Sequence, residues 1–146
     1  MIKSEIEKYL YEHIPITKAL GVEAVTFSEN SVKFRAPLSK NINHRSTAFG
    51  GSISSLLITT GWSYLRLLFD NYEPIPRIVI GRSSTYYLKP ITSDFTSELI
   101  IPEDETITDF MHMYTRFGKA RITLQVQIEK EGEILAEFEG DFVVMN

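Results

Sequence analysis

Cysteine is absent from the 146 residues of this sequence, and its absence excludes several kinds of site at once. Disulfides, thiolate zinc sites and cysteine nucleophiles all need a residue that the chain does not contain. The sequence also lacks a block of basic residues, because its fifteen Lys and Arg are spread along a chain of net charge −4. A nucleic-acid surface is therefore not expected. Nothing demands an oxidising compartment, so we expect a cytoplasmic protein with a small partner.

Long apolar runs are missing as well. Charged residues interrupt the apolar ones throughout residues 1–10, which is unlike a signal peptide or a membrane span. The longest weakly charged stretch, residues 46–65, is too rich in Ser, Thr and Gly to span a membrane convincingly. The three histidines, His13, His44 and His112, show no ligand-like spacing, so no metal site is expected. A chain of this length suits one compact domain over residues 1–146.

Hydrophobic periodicity predicts two helices. Apolar residues recur at four-residue spacing in residues 4–13, which predicts a short N-terminal helix. A second run from Gly50 to Leu68 predicts a buried helix of about five turns, and its small residues predict close packing against a sheet. Pro74 and Pro76 follow this helix and prevent it from continuing.

Period-two patterns predict strands, and turn residues between them predict hairpins. In the first hairpin, Val22, Ala24 and Thr26 are expected to share one face. The predicted hairpins cover residues 22–36, 77–101 (with a break near Gly81) and 121–144. Without repeated βα units, this order predicts an α+β fold in which a mainly antiparallel sheet of about six strands wraps around the long helix.

Four segments resemble those of a known fold family. They are PLSKNINH at 37–44, TAFGGS at 47–52, TGW at 60–62 and RFGKAR at 116–121. With the order of the elements, they resemble the hotdog fold, and in detail the thioesterase family found as the C-terminal domain of some acetyltransferase fusions. The resemblance covers nearly the whole chain and leaves no room for the acetyltransferase, so a stand-alone member is expected.

The resemblance implies hydrolysis of an acyl-CoA or acyl-carrier-protein thioester. No cofactor is implied beyond the coenzyme A or phosphopantetheine of the substrate itself. Relatives pair their third strands into one continuous sheet, so the resemblance also implies a homodimer, or a homotetramer. The site is then expected at the interface between protomers.

Gly50 and Gly51, at the start of the long helix, are the candidates for polarising the thioester carbonyl. A helix N-terminus presents unpaired backbone N–H groups, and residues without side chains let a carbonyl approach them directly. The alternative is that both glycines only allow the loop to turn into the helix. Phe49 and Ser52, which flank the pair, are expected to contact the substrate.

The group that activates water is harder to assign. Hotdog thioesterases typically carry a carboxylate two turns into the central helix and a His before the paired glycines. This sequence has Ile58 and Thr59 at the first place and Phe49 at the second. Asn43 and His44 remain as groups that orient water or take a proton. The equal alternative is that Asn43 only forms a turn of the loop and that His44 is a partly exposed surface residue. Thr59 could also hold water, although a helical Thr more often bonds to the preceding turn.

Two groups of polar residues are candidates for binding the rest of the substrate, one on a single face of the third strand and one near the start of the fifth: Arg82, Ser84 and Tyr86; Arg116, Lys119 and Arg121. The resemblance suggests phosphates of coenzyme A or an acidic carrier protein as ligands of the second group. A salt bridge for the first group and solvated edge charges for the second are the alternatives. A pocket lined by Tyr64, Leu68 and Phe49 would favour a medium or aromatic acyl group, but these side chains fit the core equally well.

Three functions follow from these residues. Thioester hydrolysis is the leading hypothesis, with the carbonyl at Gly50 and Gly51 and water oriented by Asn43 or His44. The missing helix carboxylate favours a second hypothesis, a non-hydrolytic acyl-thioester binding protein. Hydration or dehydration of an enoyl thioester ranks last, because His44 has no evident acidic partner.

Overall fold

The computed structural model describes residues 1–146. Four α-helices and six strands are present, together with one 3-10 turn at Leu38–Lys40. In chain order they are α1 (Lys3–His13), α2 (Ile16–Leu20), β1 (Glu23–Ser28), β2 (Ser31–Ala36), α3 (Gly50–Leu68), β3 (Arg77–Tyr87), β4 (Phe95–Ile100), α4 (Asp104–Phe117), β5 (Lys119–Lys130) and β6 (Glu133–Met145). None of the helices combines the length and apolarity needed to cross a membrane.

The six strands form one antiparallel sheet in the order β1-β2-β4-β5-β6-β3, and α3 contacts every one of them. The core lies between the sheet and α3, where Leu56, Leu57 and Tyr64 meet Leu124 and Phe142 with no exposed surface. This arrangement confirms the prediction of a six-stranded antiparallel sheet wrapped around one long helix.

Close packing of α3 on the sheet depends on small residues in the middle of the helix. A methyl group added at Gly61 would lie 2.9 Å from Cζ of Phe142, which is closer than carbon atoms approach in folded proteins. Thr60 is fully buried beside it, and its hydroxyl donates to the Leu56 carbonyl at 2.8 Å. Ser97 of β4 shares that hydroxyl, so the polar group on this face has partners.

The prediction of a hairpin over residues 77–101 is wrong. β3 pairs with β6 over its whole length, from Arg77 opposite Met145 to Tyr87 opposite Ala136, and β4 lies between β2 and β5. Alternation identifies strands but not their partners, and the 13-residue β6 matches the 11-residue β3 in length where the six-residue β4 does not. The predicted break near Gly81 is confirmed by the shift in register on either side of it.

Two helices were missed in the sequence. α4 follows β4 and buries Phe110 and Tyr114, with Ile107 and Met111 half-buried, so its apolar residues do recur at helical spacing. The signal was overlooked because α4 also carries exposed apolar residues, which obscure the periodic pattern. α2 has only five residues, too few for periodicity to identify.

The first strand also departs from its predicted pattern. Val22, Ala24 and Thr26 were expected to share one face, but the register shifts between Ala24 and Thr26, and it is Phe27 that is buried beyond the shift. An extra residue in one strand reverses the faces beyond it, so strict alternation fails across the irregularity.

Candidate functional site

The N-terminus of α3 carries two backbone donors without a partner. The amides of Ser52 and Ile53 both donate to the Phe49 carbonyl, each at 3.0 Å. Neither Gly50 nor Gly51 donates to any acceptor in the protein. Gly51 is exposed and Gly50 half-buried, so both N–H groups lie at the surface, where the helix dipole adds partial positive charge.

A tyrosine of the edge strand fixes the position of this helix end. The Tyr87 hydroxyl donates to the Gly50 carbonyl at 3.1 Å, and its ring lies 3.5 Å from where a Gly50 side chain would begin. Sequence reasoning missed Tyr87, because it selected the neighbouring Tyr86. The shift in register at Gly81 is the feature that decides which of the two faces the helix.

Phe49 covers the other side of the paired glycines. Its side chain is 56% exposed, yet its ring lies so close to Gly51 that any side chain there would collide with it. The residue is extended, with φ −66° and ψ 134°, and it precedes the first helical residue. Phe49 and Ser52 therefore both lie beside the free N–H groups, and their contact with a substrate stays a prediction.

Asn43 organises the loop before the helix. Its Nδ2 donates to Thr47 Oγ1 at 2.8 Å, while its Oδ1 accepts from the Arg45 amide at 2.9 Å and from the Thr47 amide at 3.1 Å. Its own amide donates to the Thr47 carbonyl at 2.8 Å. Ser46, at the tip of this loop, has a left-handed backbone with φ 64°. Both the nitrogen and the oxygen of the Asn43 side-chain amide are thus occupied in holding the loop, which constrains any role of this side chain in orienting water.

His44 is the unconstrained group of this loop. It is exposed, and its imidazole makes no hydrogen bond or ion pair within the protein. An imidazole without a partner in the protein has both ring nitrogens available for contact with water or substrate. Of the two loop candidates, His44 is therefore the one with an unused side chain.

Thr59 uses its hydroxyl within the helix. Oγ1 donates to the Ser55 carbonyl at 2.7 Å, and the residue is only 8% exposed. Its oxygen still has lone pairs, but its proton is taken. Thr59 thus bonds to the preceding turn of the helix, which was the alternative to holding water.

Asn41 is a loop residue that sequence reasoning overlooked. Its Nδ2 donates to the carbonyls of Leu20 and Pro37, both at 2.8 Å, and its own carbonyl accepts from the Phe49 amide at 2.7 Å. The side chain is 3% exposed and its Oδ1 has no partner. Asn41 therefore ties the end of α2 to the start of α3. No periodic pattern in the sequence indicates such a contact.

Asp94, the residue before β4, holds the start of the same loop. Its Oδ1 accepts from the Leu38 amide at 2.9 Å, and its Oδ2 lies 2.6 Å from the Arg35 guanidinium. These contacts, first the Leu38 hydrogen bond and then Arg35, lower the pKa of Asp94 against the opposing effect of desolvation. The loop that precedes the helix is thus anchored by a carboxylate that stays ionised.

Two shallow clefts flank the helix start. One, of about 250 Å³, lies beside Phe49, Gly51, Ser52 and the residues Ile16 and Leu20 of α2. The other, of about 360 Å³, lies between Gly50 and Ile53 on one side and the segment 87–91 on the other. Neither cleft contains Asp, Glu or His, and Lys89 is the one charged residue that lines either of them, so in one protomer the free N–H groups face a mainly apolar surface without a carboxylate or an imidazole.

Three predicted contacts of the third strand lie away from this site. Arg82, Ser84 and Tyr86 are opposite Asp141, Glu139 and Glu137 in the ladder, and all three are exposed. Side chains alternate along a strand, and Tyr87 is the one that reaches α3. The structure thus places this group on the outer face of the sheet, beside acidic neighbours, and not with Gly50.

The second basic group also lies apart from the helix start within one protomer. Lys119 pairs with Met145, which pairs in turn with Arg77 at the first residue of β3. Tyr87 is ten residues further along β3, which is about 30 Å at 3.3 Å per residue. Arg121 lies two residues beyond Lys119, and Arg116 lies in the last turn of α4 with its guanidinium 5.0 Å from the Phe117 ring.

The predicted acyl pocket is not formed by one cluster. Tyr64 and Leu68 line a cavity near the C-terminal end of α3, together with residues of α4. Phe49 lies before the first residue of that helix, about 20 Å away at 1.5 Å per residue. Phe49 therefore cannot share a pocket with the other two.

The antiparallel sheet wrapped around α3 defines the class of the protein as a hotdog fold. A Chlorobaculum tepidum protein of unknown function superposes with a TM-score of 0.91 at 24% identity, over 99% of this chain and 94% of that one. A Shewanella oneidensis protein described as a "putative thioesterase" gives 0.86 at 26% identity, over 99% and 97%. A Haemophilus influenzae thioesterase gives 0.74 at 16% identity, over 100% and 92%.

The family itself is shown by sequence. A family model described as "Putative thioesterase (yiiD_Cterm)" matches residues 3–146, nearly the whole chain. The protein belongs to this family, as the four segments in its sequence predicted.

Proposed function

We propose that the protein hydrolyses the thioester of an acyl-CoA or an acyl-carrier protein. The observation that carries the proposal is the pair of free N–H groups at Gly50 and Gly51. In hydrolysis, water attacks the thioester carbon, negative charge develops on the carbonyl oxygen, and the thiol leaves after proton transfer. Preorganised backbone donors at a helix N-terminus stabilise such an oxyanion without having to reorganise during the reaction.

His44 is the group that we propose for handling the proton. Asn43 uses both ends of its amide to hold the loop, and Thr59 donates its proton to Ser55, whereas the His44 imidazole is unpartnered. Asn43 then acts by fixing the loop that presents His44. This assignment would supply the base that the helix lacks, since no carboxylate occurs between Gly50 and Leu68. His44 lines neither cleft of its own protomer, so the assignment rests on the dimer proposed next.

The basic residues fit the same function if two protomers combine. β3 is an edge strand with one neighbour, and an unpaired edge is a template for another strand. Antiparallel pairing of two β3 strands sets the first residue of one beside the last residue of the other. The partner's Lys119 and Arg121 would then come to the Tyr87 end of this protomer, where coenzyme A or carrier-protein phosphates need them. We therefore propose a homodimer, or a homotetramer of such dimers, as the active form.

The proposal is tested by removing one N–H group without removing the helix. Gly50 is the first helical residue, where proline is tolerated, and Phe49 before it is already in the extended conformation that precedes proline. Gly50→Pro should lower thiol release from acyl-CoA by about 10²–10³-fold, as loss of one oxyanion donor does elsewhere.

Gly50→Ala is the matched control, because it keeps the N–H and its methyl meets Tyr87 at an ordinary contact distance of 3.5 Å. Circular dichroism should show both variants folded. Equal turnover by the proline and alanine variants would remove this N–H from the mechanism.

A second function is supported by the absence of a carboxylate or an imidazole from both clefts. A non-hydrolytic binding protein would use the same N–H groups to hold an acyl thioester in its ground state. Saturable binding of acyl-CoA without thiol release, measured on the wild-type protein, would establish this function instead of hydrolysis.

A further inference from the structure

A second cavity lies at the opposite end of α3 from the proposed thioester site. It measures about 500 Å³ and is bounded by the C-terminal half of α3, by α4 and by the turn between β1 and β2. Ligand pockets in proteins commonly have volumes of this order. Tyr64 lies 14 residues after Gly50 in the helix, so about 20 Å separates the two sites.

The floor of this cavity holds a polar group that the fold leaves without a partner. Tyr64 is 0% exposed, and its hydroxyl makes no hydrogen bond in the protein. Buried hydroxyls are nearly always hydrogen-bonded, because an unpaired one costs free energy. Of the other buried hydroxyls on α3, Thr59 and Thr60 donate to carbonyls of the preceding turn, while that of Ser63 also lacks a partner but does not line the cavity.

Two carboxylates at the cavity give it a negative charge. Glu29 and Asp104 belong to the lining, which contains no Lys, Arg or His. Neither carboxylate takes part in an ion pair or a side-chain hydrogen bond within the protein. Burial raises the pKa of Tyr64 to about 12, and Glu29 and then Asp104 add to the rise, so the hydroxyl feels both charges and stays protonated at neutral pH.

The remainder of the lining is mainly apolar. Leu68, Ile101, Ile107 and Met111 are each half-buried around Tyr64. Methionine has three rotatable side-chain bonds, so Met111 can adapt its conformation to a ligand in the cavity. An apolar wall with a few convergent polar groups is the usual composition of a small-molecule site.

We propose that this cavity binds a small cationic amphiphile, an alkyl or aryl ammonium, with its ammonium between Glu29 and Asp104 and its apolar body against α4. The Tyr64 hydroxyl oxygen accepts one N–H of the ammonium, and the two carboxylates supply the opposite charge. The site does not depend on thioester hydrolysis, since it shares no residue with the α3 N-terminus.

The test compares three six-carbon probes that differ only in their head group: hexylammonium, hexanol and hexanoate. Calorimetric titration of the wild-type protein at constant ionic strength should show hexylammonium binding at least about fivefold more tightly than hexanol, with hexanoate weakest. Equal affinity for hexanol, or tighter binding of hexanoate, would overturn the proposal in favour of a plain apolar cleft or a site for acyl tails.

Two variants locate the binding. Asp104→Asn should weaken hexylammonium binding about fivefold, whereas Glu105→Gln, the next acidic residue of α4 and outside the lining, should leave it unchanged. Tyr64→Phe should weaken binding of hexylammonium by about tenfold or more, the usual effect of one hydrogen bond to a charged group. Equal losses at Asp104 and Glu105 would mean general surface attraction and would reject the site. Undiminished binding by Tyr64→Phe would reject the role of the hydroxyl.

Discussion

The two ends of α3 present opposite kinds of polar group. At the N-terminal end, the free groups are the backbone donors of Gly50 and Gly51, and the surrounding clefts are apolar. At the C-terminal end, the polar groups are side chains: Arg66 pairs with Asp70, and Tyr64 lies beneath a cavity with two carboxylates. Partial positive charge at the start of a helix and negative charge near its end attract ligands of opposite sign. One helix thus separates a site suited to a developing oxyanion from one suited to a cation.

The difference also shows what the sequence pattern can reveal about each end. Paired glycines before a long apolar run mark a helix start visibly, whereas the C-terminal cavity is assembled from α3, α4 and a distant turn. The first site is local in sequence and the second is not.

The largest expected effect concerns the base at the N-terminal end. His44→Gln keeps a polar side chain but removes the group that accepts a proton, so we expect thiol release to fall by about a hundredfold or more. His112→Gln, an exposed histidine of α4, is the control and should retain full activity. Turnover by His44→Gln equal to that of the control would show that another residue, from this protomer or its partner, activates the water.

At the C-terminal end, the ion pair of Asp70 should contribute to stability. Its carboxylate lies 3.0 Å from the Arg66 guanidinium and 3.1 Å from the N-terminal ammonium. Desolvation works to raise the pKa of Asp70, but the hydrogen bonds from the N-terminal ammonium and Arg66 outweigh it and lower the pKa. Asp70→Asn should reduce the free energy of unfolding by about 2 kcal/mol at pH 7, because the buried Arg66 loses a charged partner.

The sign of the Asp70 shift sets the pH dependence of that defect. Because the pKa of Asp70 is lowered in the folded state, its contribution to stability is fully present above the ordinary value of 3.8. That contribution is lost as the pH falls through the lower folded value. Urea titrations of wild type and Asp70→Asn should therefore converge below about pH 3.8. Asp109→Asn, at an exposed position of α4, serves as the control, and an Asp70→Asn defect that stays constant with pH would contradict the assignment.

Tyr87 tests how firmly the helix start is held. Tyr87→Phe removes one exposed hydrogen bond to the Gly50 carbonyl and should cost about 1 kcal/mol or less in unfolding free energy. If the orientation of Gly50 matters for the oxyanion, kcat should fall by more than this loss of stability explains. Tyr86→Phe, on the outer face, provides the comparison, and equal kinetics for the two variants would argue against a positioning role for Tyr87.

The smallest effect is expected at Tyr64. Tyr64→Phe removes a buried hydroxyl that has no partner, so the unliganded protein should be unchanged or slightly more stable in thermal unfolding. A clear loss of stability would mean that ordered water satisfies the hydroxyl and that the cavity is part of the structural core.

Much of the fold could be predicted from the sequence because periodicity reports burial directly. The bounds of α3 from Gly50 to Leu68 and the hairpin of β5 and β6 both follow from where apolar residues recur. α4 was missed although its four inward residues keep helical spacing, and the pairing of β3 with β6 was missed because alternation carries no information about which strands meet. The irregularity near Ala24 similarly reversed a face that strict alternation had assigned.

The sequence by itself determined that the protein contributes no cysteine thiol, that α3 has no carboxylate, and that its start carries two glycines. These facts depend on residue identity alone, and the family resemblance rests on the same local segments. Only the tertiary structure decided that Tyr87 and not Tyr86 touches Gly50, that the side-chain amide of Asn43 hydrogen-bonds within its own loop, and that Arg82 lies on the outer face. The physical reason is that these contacts depend on which strands pair and in which register. A single bulge changes the register, and residue identity alone does not reveal it.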